Sequence, residues 1–255
     1  MRVIISPAKK MNVDTDSFLC EQLPAFPEET GVLKDWIRSL SYDEAKKLWA
    51  CSDKLAEENY ERFRNIDLER NLTPAILAYE GIQYQYMAPT VFEDGHFDYA
   101  QEHVRILSGF YGVVRPLDGV VPYRLEMQAK GAPGDIRNLY TFWSDKLYNE
   151  VMDESRVLIN LASKEYSKCI ERYLKPEDRY VTCIFGELEN DRVIQKGVYA
   201  KMARGEMVRY MAENNVTEPE ELKAFDRLGY RFDPERSSET ENIFTRVPEE
   251  APFKR

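Results

Sequence analysis

The stretch RVLINLASKEY, residues 156–166, decides the fold class of this chain. After Arg156 it continues as an apolar run interrupted only by Asn160, which is typical of a strand buried on both faces. Ser163 follows at once and is a residue type that helices favour at their N-terminal cap, so a helix begins where the strand ends. A strand, a turn and a helix in this order indicate that part of the β-sheet is internal.

Other segments of the chain also have strand patterns. Residues 2–6 form an apolar run that a proline stops, and residues 180–196 alternate in polarity around Glu189-Asn190-Asp191, which predicts an antiparallel hairpin. Residues 229–232 and 242–246 read as two short strands near the C-terminal end. The sheet is therefore expected to draw its strands from both ends of the sequence.

One segment leaves two assignments open. Ile82, Tyr84 and Tyr86 alternate with two glutamines, which favours a strand, whereas in the alternative Gly81 opens a short helix. Apolar periodicity or capping residues predict helices at 28–40, 41–65, 94–107, 139–152, 198–214 and 217–225, in addition to the helix that starts at residue 163.

No internal repeat, low-complexity tract or linker divides the 255 residues, and 43% hydrophobic content supports a substantial core. We therefore predict a mixed α and β (α+β) fold, a single compact domain over residues 1–255 with a mixed sheet flanked by helices and a basic cleft. Residues 248–255 are expected to be a frayed tail.

The charge balance limits the classes of partner. Lys plus Arg number 35 against 45 for Asp plus Glu, so the net charge is -10, which repels phosphate polymers and acidic membranes at long range but leaves room for a local basic cleft. The N-terminus lacks the apolar region of a signal peptide, and no apolar run approaches the ~18 residues of a membrane helix. We expect a cytosolic protein with no membrane partner.

Metal and catalytic motifs are weak in this sequence. The four cysteines contain no C-x-x-C pair, which predicts reduced thiols and argues against zinc. His96 and His103 are seven residues apart, ~10 Å along a helix axis, which is too far to share one ion. With only two histidines, a catalytic triad has little support. We predict no catalytic residue, no metal and no cofactor.

Residues 107–127, LSGFYGVVRPLDGVVPYRLEM, combine glycine, proline and both signs of charge with apolar residues. Surface loops rarely carry so much Val, Leu and Tyr, and core strands rarely carry Arg. Two interpretations stay open: Arg115 with Asp118 and Arg124 with Glu126 form buried ion-paired struts, or the segment is the floor of a binding cleft.

Basic residues recur beside glycine or proline, or at the strand-to-helix junction at Ser163, where free backbone N–H groups favour an anion. The predicted DNA- or phosphate-binding residues are Lys9, Lys10, Arg115, Arg124, Ser163, Lys164, Lys201 and Arg204. Stacking or supporting roles are predicted for Tyr111, Asp118, Tyr123, Glu126 and Tyr166.

These motifs resemble a known family, the YaaA family of peroxide stress proteins. The resemblance rests on ISPAK (5–9), LSGFYG (107–112), RPLD (115–118), PYRLEM (122–127), NLAS with EY (160–163 and 165–166) and Ala203-Arg204-Gly205. SDKL (52–55), FW (142–143) and GY (229–230) agree as well, so the likeness spans nearly the whole chain. The family motif often has two lysines before Ala-Arg-Gly, where this chain has Lys201-Met202.

The resemblance implies a bacterial cytosolic protein of the hydrogen peroxide response that keeps unincorporated iron low and limits oxidative damage. It also implies a mixed α and β fold with a positively charged cleft that binds DNA, duplex or structured, mainly through phosphate contacts. Two other functions stay open. One is an enzyme on a nucleotide or other phosphorylated small molecule, with Asp118 or Glu126 as acid or base. The other is direct iron sequestration.

Overall fold

The structure is a computed structural model that describes residues 1–247. The strands are β1 (Arg2–Ile5), β2 (Lys10–Met11), β3 (Thr73–Pro74), β4 (Tyr79–Glu80), β5 (Val104–Ser108), β6 (Gly112–Val114), β7 (Gly119–Val120), β8 (Val157–Leu161), β9 (Arg179–Glu189), β10 (Arg192–Ile194), β11 (Arg231–Phe232) and β12 (Glu241–Arg246). The helices are α1 (Pro27–Ser39), α2 (Tyr42–Trp49), α3 (Asp53–Asn65), α4 (Ala75–Ala78), α5 (Ile82–Met87), α6 (Asp94–His103), α7 (Leu139–Trp143), α8 (Lys146–Val151), α9 (Lys164–Glu171) and α10 (Gly197–Glu213). Short 3₁₀ helices cover Pro89–Val91, Pro219–Ala224 and Arg227–Gly229.

The main sheet has eight strands in the order β11-β12-β9-β8-β1-β5-β6, with β10 paired to β9. Its central strands are parallel: β1 pairs with β5 and β8, β8 pairs with β9, and β9 pairs with β12. The pairs β5–β6, β9–β10 and β11–β12 are antiparallel. The predicted mixed sheet flanked by helices in one compact domain is thus confirmed.

The strand-to-helix unit lies at the centre of this sheet, as its sequence predicts. Leu158, Ile159 and Leu161 of β8 are fully buried, because helices cover both faces of a parallel strand. The chain turns at Ser163, whose backbone is extended (φ -74°, ψ 159°), and α9 follows at once. The predicted hairpin at 180–196 is also confirmed, with Asn190 and Asp191 both at positive φ, as a tight hairpin turn requires.

The strand assignment for residues 82–86 is wrong. The segment forms α5, which begins after Gly81, so the alternative assignment is the correct one. Alternating tyrosines and glutamines predicted a half-exposed strand, but Gln83 and Tyr84 are both buried. Tertiary packing against α10 therefore overrides the local alternation.

The predicted helix at 94–107 is too long. It ends at His103, and Val104–Ser108 form β5, in which every residue is buried. The β-branched and apolar side chains of this run pair in parallel with β1, from Val3↔Val104 to Ile5↔Ile106. Because that pairing joins residues about 100 positions apart, local periodicity did not reveal it.

Two other predicted helices are each divided in two. The segment 41–65 breaks at Ala50, which is in the left-handed region (φ 44°), and gives α2 and α3. The segment 139–152 breaks at Ser144 (φ 50°) and gives α7 and α8. The capping box at the start of α2 is confirmed, with Ser41 and Glu44 exchanging hydrogen bonds.

Among residues 1–247, no helix has the length and apolarity that a bilayer crossing requires. The four cysteines are free thiols, and Cys169 and Cys183 are buried. The predicted tail at residues 248–255 lies outside the described residues.

Candidate phosphate-binding cleft

The candidate site is a cleft of about 430 Å³ at the carboxyl ends of β1 and β8. Such a position is where open parallel sheets bind ligands, because loops and helix N-termini converge there. The cleft is lined by the chain that follows β1, the start of α5, residues 123–126, the start of α9 and one face of α10. Five separate parts of the sequence thus meet around one hollow.

The loop after β1 is fastened to the start of α9. Ser6 Oγ accepts the N–H of Ser163 at 2.8 Å and lies 3.2 Å from Ser163 Oγ. The hydroxyl of Tyr84 donates to the Ser6 carbonyl at 3.0 Å, which joins α5 to the same corner. The backbone of Ser163 therefore serves the scaffold here, although its side chain lines the cleft.

Helix α10 enters the site because Gly205 allows a very close approach to α5. A Cβ atom at position 205 would lie 2.1 Å from the Gln83 carbonyl oxygen. This contact brings Lys201 and Arg204, which are one turn apart on α10, to the wall of the cleft. The glycine in Ala203-Arg204-Gly205 therefore has a packing role, and the arginine before it lines the site.

Arg204 and Lys201 are the cleft cations that lack a carboxylate. Within residues 1–247, neither side chain has an ion pair within 4 Å. Arg204 is partly buried, and its Nε is shielded from solvent without an acceptor. Burial lowers the pKa of the Arg204 guanidinium. An anion in the cleft would supply the missing counter-charge.

The other cations of the cleft are paired with acids. Lys9 Nζ and Arg124 Nη2 each lie 3.1 Å from Glu126 Oε1. Lys10 Nζ lies 2.6 Å from Glu80 Oε1, and the two residues face each other across the β2–β4 ladder. Two interpretations were open for the segment 107–127, an ion-paired strut and the floor of a cleft. Arg124 fits both, because it pairs with Glu126 and also lines the cleft.

The cleft is of mixed charge rather than uniformly basic. Its cationic side chains are Lys9, Lys10, Arg124, Lys201 and Arg204, and its carboxylates are Glu80, Glu126 and Glu165. Burial raises the pKa of Glu165, whose carboxylate accepts the Gln128 N–H at 3.3 Å. The cleft therefore has two more formal positive charges than negative ones, and the two cations without a carboxylate partner in the described chain are both on α10.

Two tyrosines form the floor of the cleft. Tyr123 is 5% exposed, with its hydroxyl 2.9 Å from the Tyr79 hydroxyl and 2.7 Å from Ser108 Oγ, and burial raises its pKa to about 12. Tyr166 is similarly buried, and its pKa is also raised by burial. Because both rings are enclosed, they support the site from below and offer no open platform for stacking.

Four predicted residues lie outside the cleft. Lys164 extends to Glu171 at 2.5 Å, and the buried hydroxyl of Tyr111 accepts the Val121 N–H at 3.1 Å. Arg115 lines a separate hollow of about 300 Å³ with Arg2 and Arg105. The fourth residue, Asp118, is described next.

Asp118 does not form the predicted ion pair with the Arg115 side chain. Its Oδ2 accepts the Arg115 backbone N–H at 2.8 Å, while the guanidinium is 3.9 Å from Glu150. Its Oδ1 accepts from Gln22 Nε2 at 2.8 Å. Burial raises the pKa of this carboxyl to about 6.

The site also contains residues that sequence reasoning did not select. Glu80, Gln83 and Glu165 all line the cleft. Glu165 belongs to the quoted NLAS–EY motif, and its place after the strand-to-helix turn was the available signal. Glu80 and Gln83 carry no such signal, because the segment that contains them had a strand pattern.

The histidines have structural roles in the described chain. His96 Nδ1 accepts the Glu93 N–H at 3.2 Å and so caps α6, while His103 Nδ1 lies 2.8 Å from the Met1 carbonyl. Residues 1–247 contain no group of three or more His, Cys, Asp or Glu side chains arranged to hold a metal ion.

Comparison with known proteins gives one consistent result. A family model described as peroxide stress protein YaaA matches residues 1–236. The chain is 57% identical to a UPF0246 protein of Agathobacter rectalis, over 96% of this chain and 99% of that protein. It is 54% identical to a UPF0246 protein of Lachnoclostridium phytofermentans, over 96% of each. A UPF0246 protein of Desulfitobacterium hafniense is 53% identical, over 97% and 98% respectively.

Proposed function

This chain belongs to the YaaA family of peroxide stress proteins, and from that premise we propose that it serves the bacterial peroxide response by binding DNA through the cleft. Binding is through phosphates and does not depend on base sequence. In the cytosol this activity helps to limit free iron and oxidative damage to DNA.

The observation that carries the proposal is the pair of unpaired cations on α10. Lys201 is exposed at the cleft and Arg204 is partly buried in it, and neither has a carboxylate partner within the described chain. These two residues are exceptions among the cations of the cleft, because Lys9, Lys10 and Arg124 each have a carboxylate partner. DNA phosphates supply the missing negative charge.

The paired lysines at the cleft contribute in a second way. Lys9 and Lys10 are 65% and 72% exposed, so their ion pairs with Glu126 and Glu80 are solvated and weak. Both ammonium groups can therefore turn from these acids to neighbouring phosphates at small cost. Arg124 differs, because its side chain is 12% exposed and is held against Glu126.

A titration of the pure protein with duplex DNA at several salt concentrations tests the proposal. We expect the association constant to fall steeply with salt, because phosphate contacts release counterions. Unrelated duplex sequences should bind equally well. An association constant that does not change with salt, or binding confined to one sequence, would reject phosphate contacts as the main source of affinity.

The size of the cleft favours a second candidate, a nucleotide or another phosphorylated small molecule. A hollow of about 430 Å³ is within the range of small-ligand sites. Glu165 could then act as a general acid, since burial raises the pKa of its carboxyl. Thermal unfolding with and without nucleoside monophosphates tests this function, and turnover of any of them would establish an enzyme.

A further inference from the structure

The dimensions of the cleft limit which part of a DNA molecule can enter it. A volume of about 430 Å³ holds a ligand of nucleotide size. A B-form duplex is far larger, since its major groove alone is ~12 Å wide. A duplex can therefore lie across the mouth, where Lys9 and Lys10 are exposed, but only a single group that projects from it can reach Arg204.

The wall of the cleft formed by Lys201 and Arg204 of α10 is positively charged, and this charge determines which chemical group can bind there. Each cation held by an acid already has its counter-charge, as at Arg124 with Glu126. Arg204 and Lys201 have none in residues 1–247, so the wall presents two uncompensated positive charges one helical turn apart. The carboxyl of Glu165 also lines the cleft, and burial raises its pKa.

Phosphate groups differ in how well they match this wall. A phosphodiester within a strand carries one negative charge and is linked on both sides. A phosphate monoester carries about -1.5 to -2 at neutral pH and has three free oxygens. A terminal monoester also projects from the end of its strand, as entry into a recessed site requires. Guanidinium groups bind such oxygens in pairs.

We propose that the cleft holds a phosphate monoester at the end of a DNA strand, with Arg204 and Lys201 on the phosphate and the exposed lysines on the adjoining backbone. This inference rests on the proposed DNA binding and names the part of the DNA that occupies the site. Strand breaks expose such ends, which would direct the protein to damaged DNA.

The test compares oligonucleotide duplexes that differ only at one nick. The nick carries either a 5′-phosphate or a 5′-hydroxyl, and a second pair carries a 3′-phosphate or a 3′-hydroxyl. A closed circular duplex supplies DNA without ends. We expect at least one phosphorylated nick to bind about tenfold tighter than its hydroxyl counterpart. Arg204→Met removes the guanidinium that meets the phosphate and should abolish that ratio.

The outcomes separate the inference from the proposed function. Equal binding of phosphate and hydroxyl ends, with binding to the closed circle retained, would overturn the inference and leave the proposed function in place. Absence of binding to every DNA would overturn both. Displacement of the phosphorylated nick by a nucleoside monophosphate at equal affinity would assign the site to free nucleotides and overturn the strand-end assignment.

Lys201→Met provides a second variant in case Arg204→Met does not fold. Lys201 is exposed on α10 and makes no ion pair with the described residues, so its replacement leaves the packing of the helix unchanged. It should reduce the phosphate-to-hydroxyl ratio without shifting the melting temperature. An unchanged ratio in both variants would remove α10 from the site.

Discussion

Gly205 of α10 lies against the carbonyl oxygen of Gln83 in α5, so close that a Cβ atom would be 2.1 Å from it. The same Cβ would also lie 2.8 Å from the Met87 backbone nitrogen. Since these are backbone atoms, rotation of a side chain cannot relieve the overlap. The contact between the two helices fixes the distance from Arg204 to the opposite wall of the cleft.

Gly205→Ala is therefore expected to destabilise the fold and to open the cleft. The helices must separate to accept the methyl group, at a cost of about 2 kcal/mol or more, which exceeds the ~1 kcal/mol gained from the higher helix propensity of alanine. Urea denaturation measures the change in the free energy of unfolding. DNA affinity should fall in the same variant under conditions where it remains folded.

Gly31→Ala is the matched control for this substitution. Gly31 is also within a helix, α1, but a Cβ atom there would meet nothing within 4 Å. Alanine should therefore raise the free energy of unfolding by about 0.5 to 1 kcal/mol. If both variants changed stability in the same direction, the close approach of α5 and α10 would not be the reason that position 205 requires glycine.

Asp118 should make the stability of the protein depend on pH. Burial raises the pKa of this carboxyl to about 6, from its ordinary value of 3.8 in the unfolded chain. The folded state thus binds the proton more tightly, so stability is highest below pH ~4 as far as this group is concerned. The contribution of this carboxyl to the free energy of unfolding falls as the pH rises to about 6 and then levels off. The total loss is about 3 kcal/mol.

Asp118→Asn isolates this contribution. The asparagine is neutral at every pH, so the difference in unfolding free energy between wild type and variant should change between pH 4 and pH 6 and stay constant from pH 7 to pH 8. Urea denaturation across this range gives the difference directly. A constant difference throughout would show that the Asp118 carboxyl titrates at its ordinary pKa.

Arg246 is expected to stabilise the pairing of β12 with β9, where it lies opposite Glu187. Its side chain is 2% exposed, its Nη2 lies 2.6 Å from Glu187 Oε1, and its guanidinium carbon is 3.9 Å from the centre of the Tyr199 ring. Arg246→Met leaves Glu187 buried with Lys196 as its remaining ion-pair partner, which should cost about 3 kcal/mol. Arg179→Met, which breaks an exposed pair with Glu220, should cost no more than about 1 kcal/mol. Equal losses in the two variants would contradict the importance of burial.

The parts of the fold that could be predicted from sequence are those with a local cause. The run from Val157 to Leu161 specifies a buried strand through its own residues, and Ser163 takes the predicted N-cap position of α9, although its side chain makes no capping hydrogen bond there. Strand β5 could not be predicted from local pattern, because it is stabilised by pairing with β1, which lies about 100 residues earlier in the chain. The apolar pattern of α6 continues into β5, so the sequence shows no boundary between the helix and the strand.

The site shows the same limit at the level of single residues. Arg115 and Arg124 belong to one segment with the same surroundings of Pro, Gly and acids, and sequence gave no reason to separate them. In the structure Arg124 reaches the cleft, while Arg115 lines another hollow. Which acid each arginine meets depends on strands and helices far along the chain, as with Arg115 and Glu150.

Lys201 offers a direct measure of phosphate contact at the cleft. Lys201→Met removes one positive charge and no ion pair of the described chain, so the loss of affinity reflects the DNA rather than a disturbed partner. The slope of log association constant against log salt concentration should decrease in magnitude by about 1, for all duplex sequences alike. Lys54→Met removes the same charge from an exposed position on α3 outside the cleft, where the lysine makes no ion pair with any of residues 1–247. Because the long-range field of the molecule changes equally in the two variants, an equal effect on the slope would mean that overall charge, and not contact at α10, determines binding.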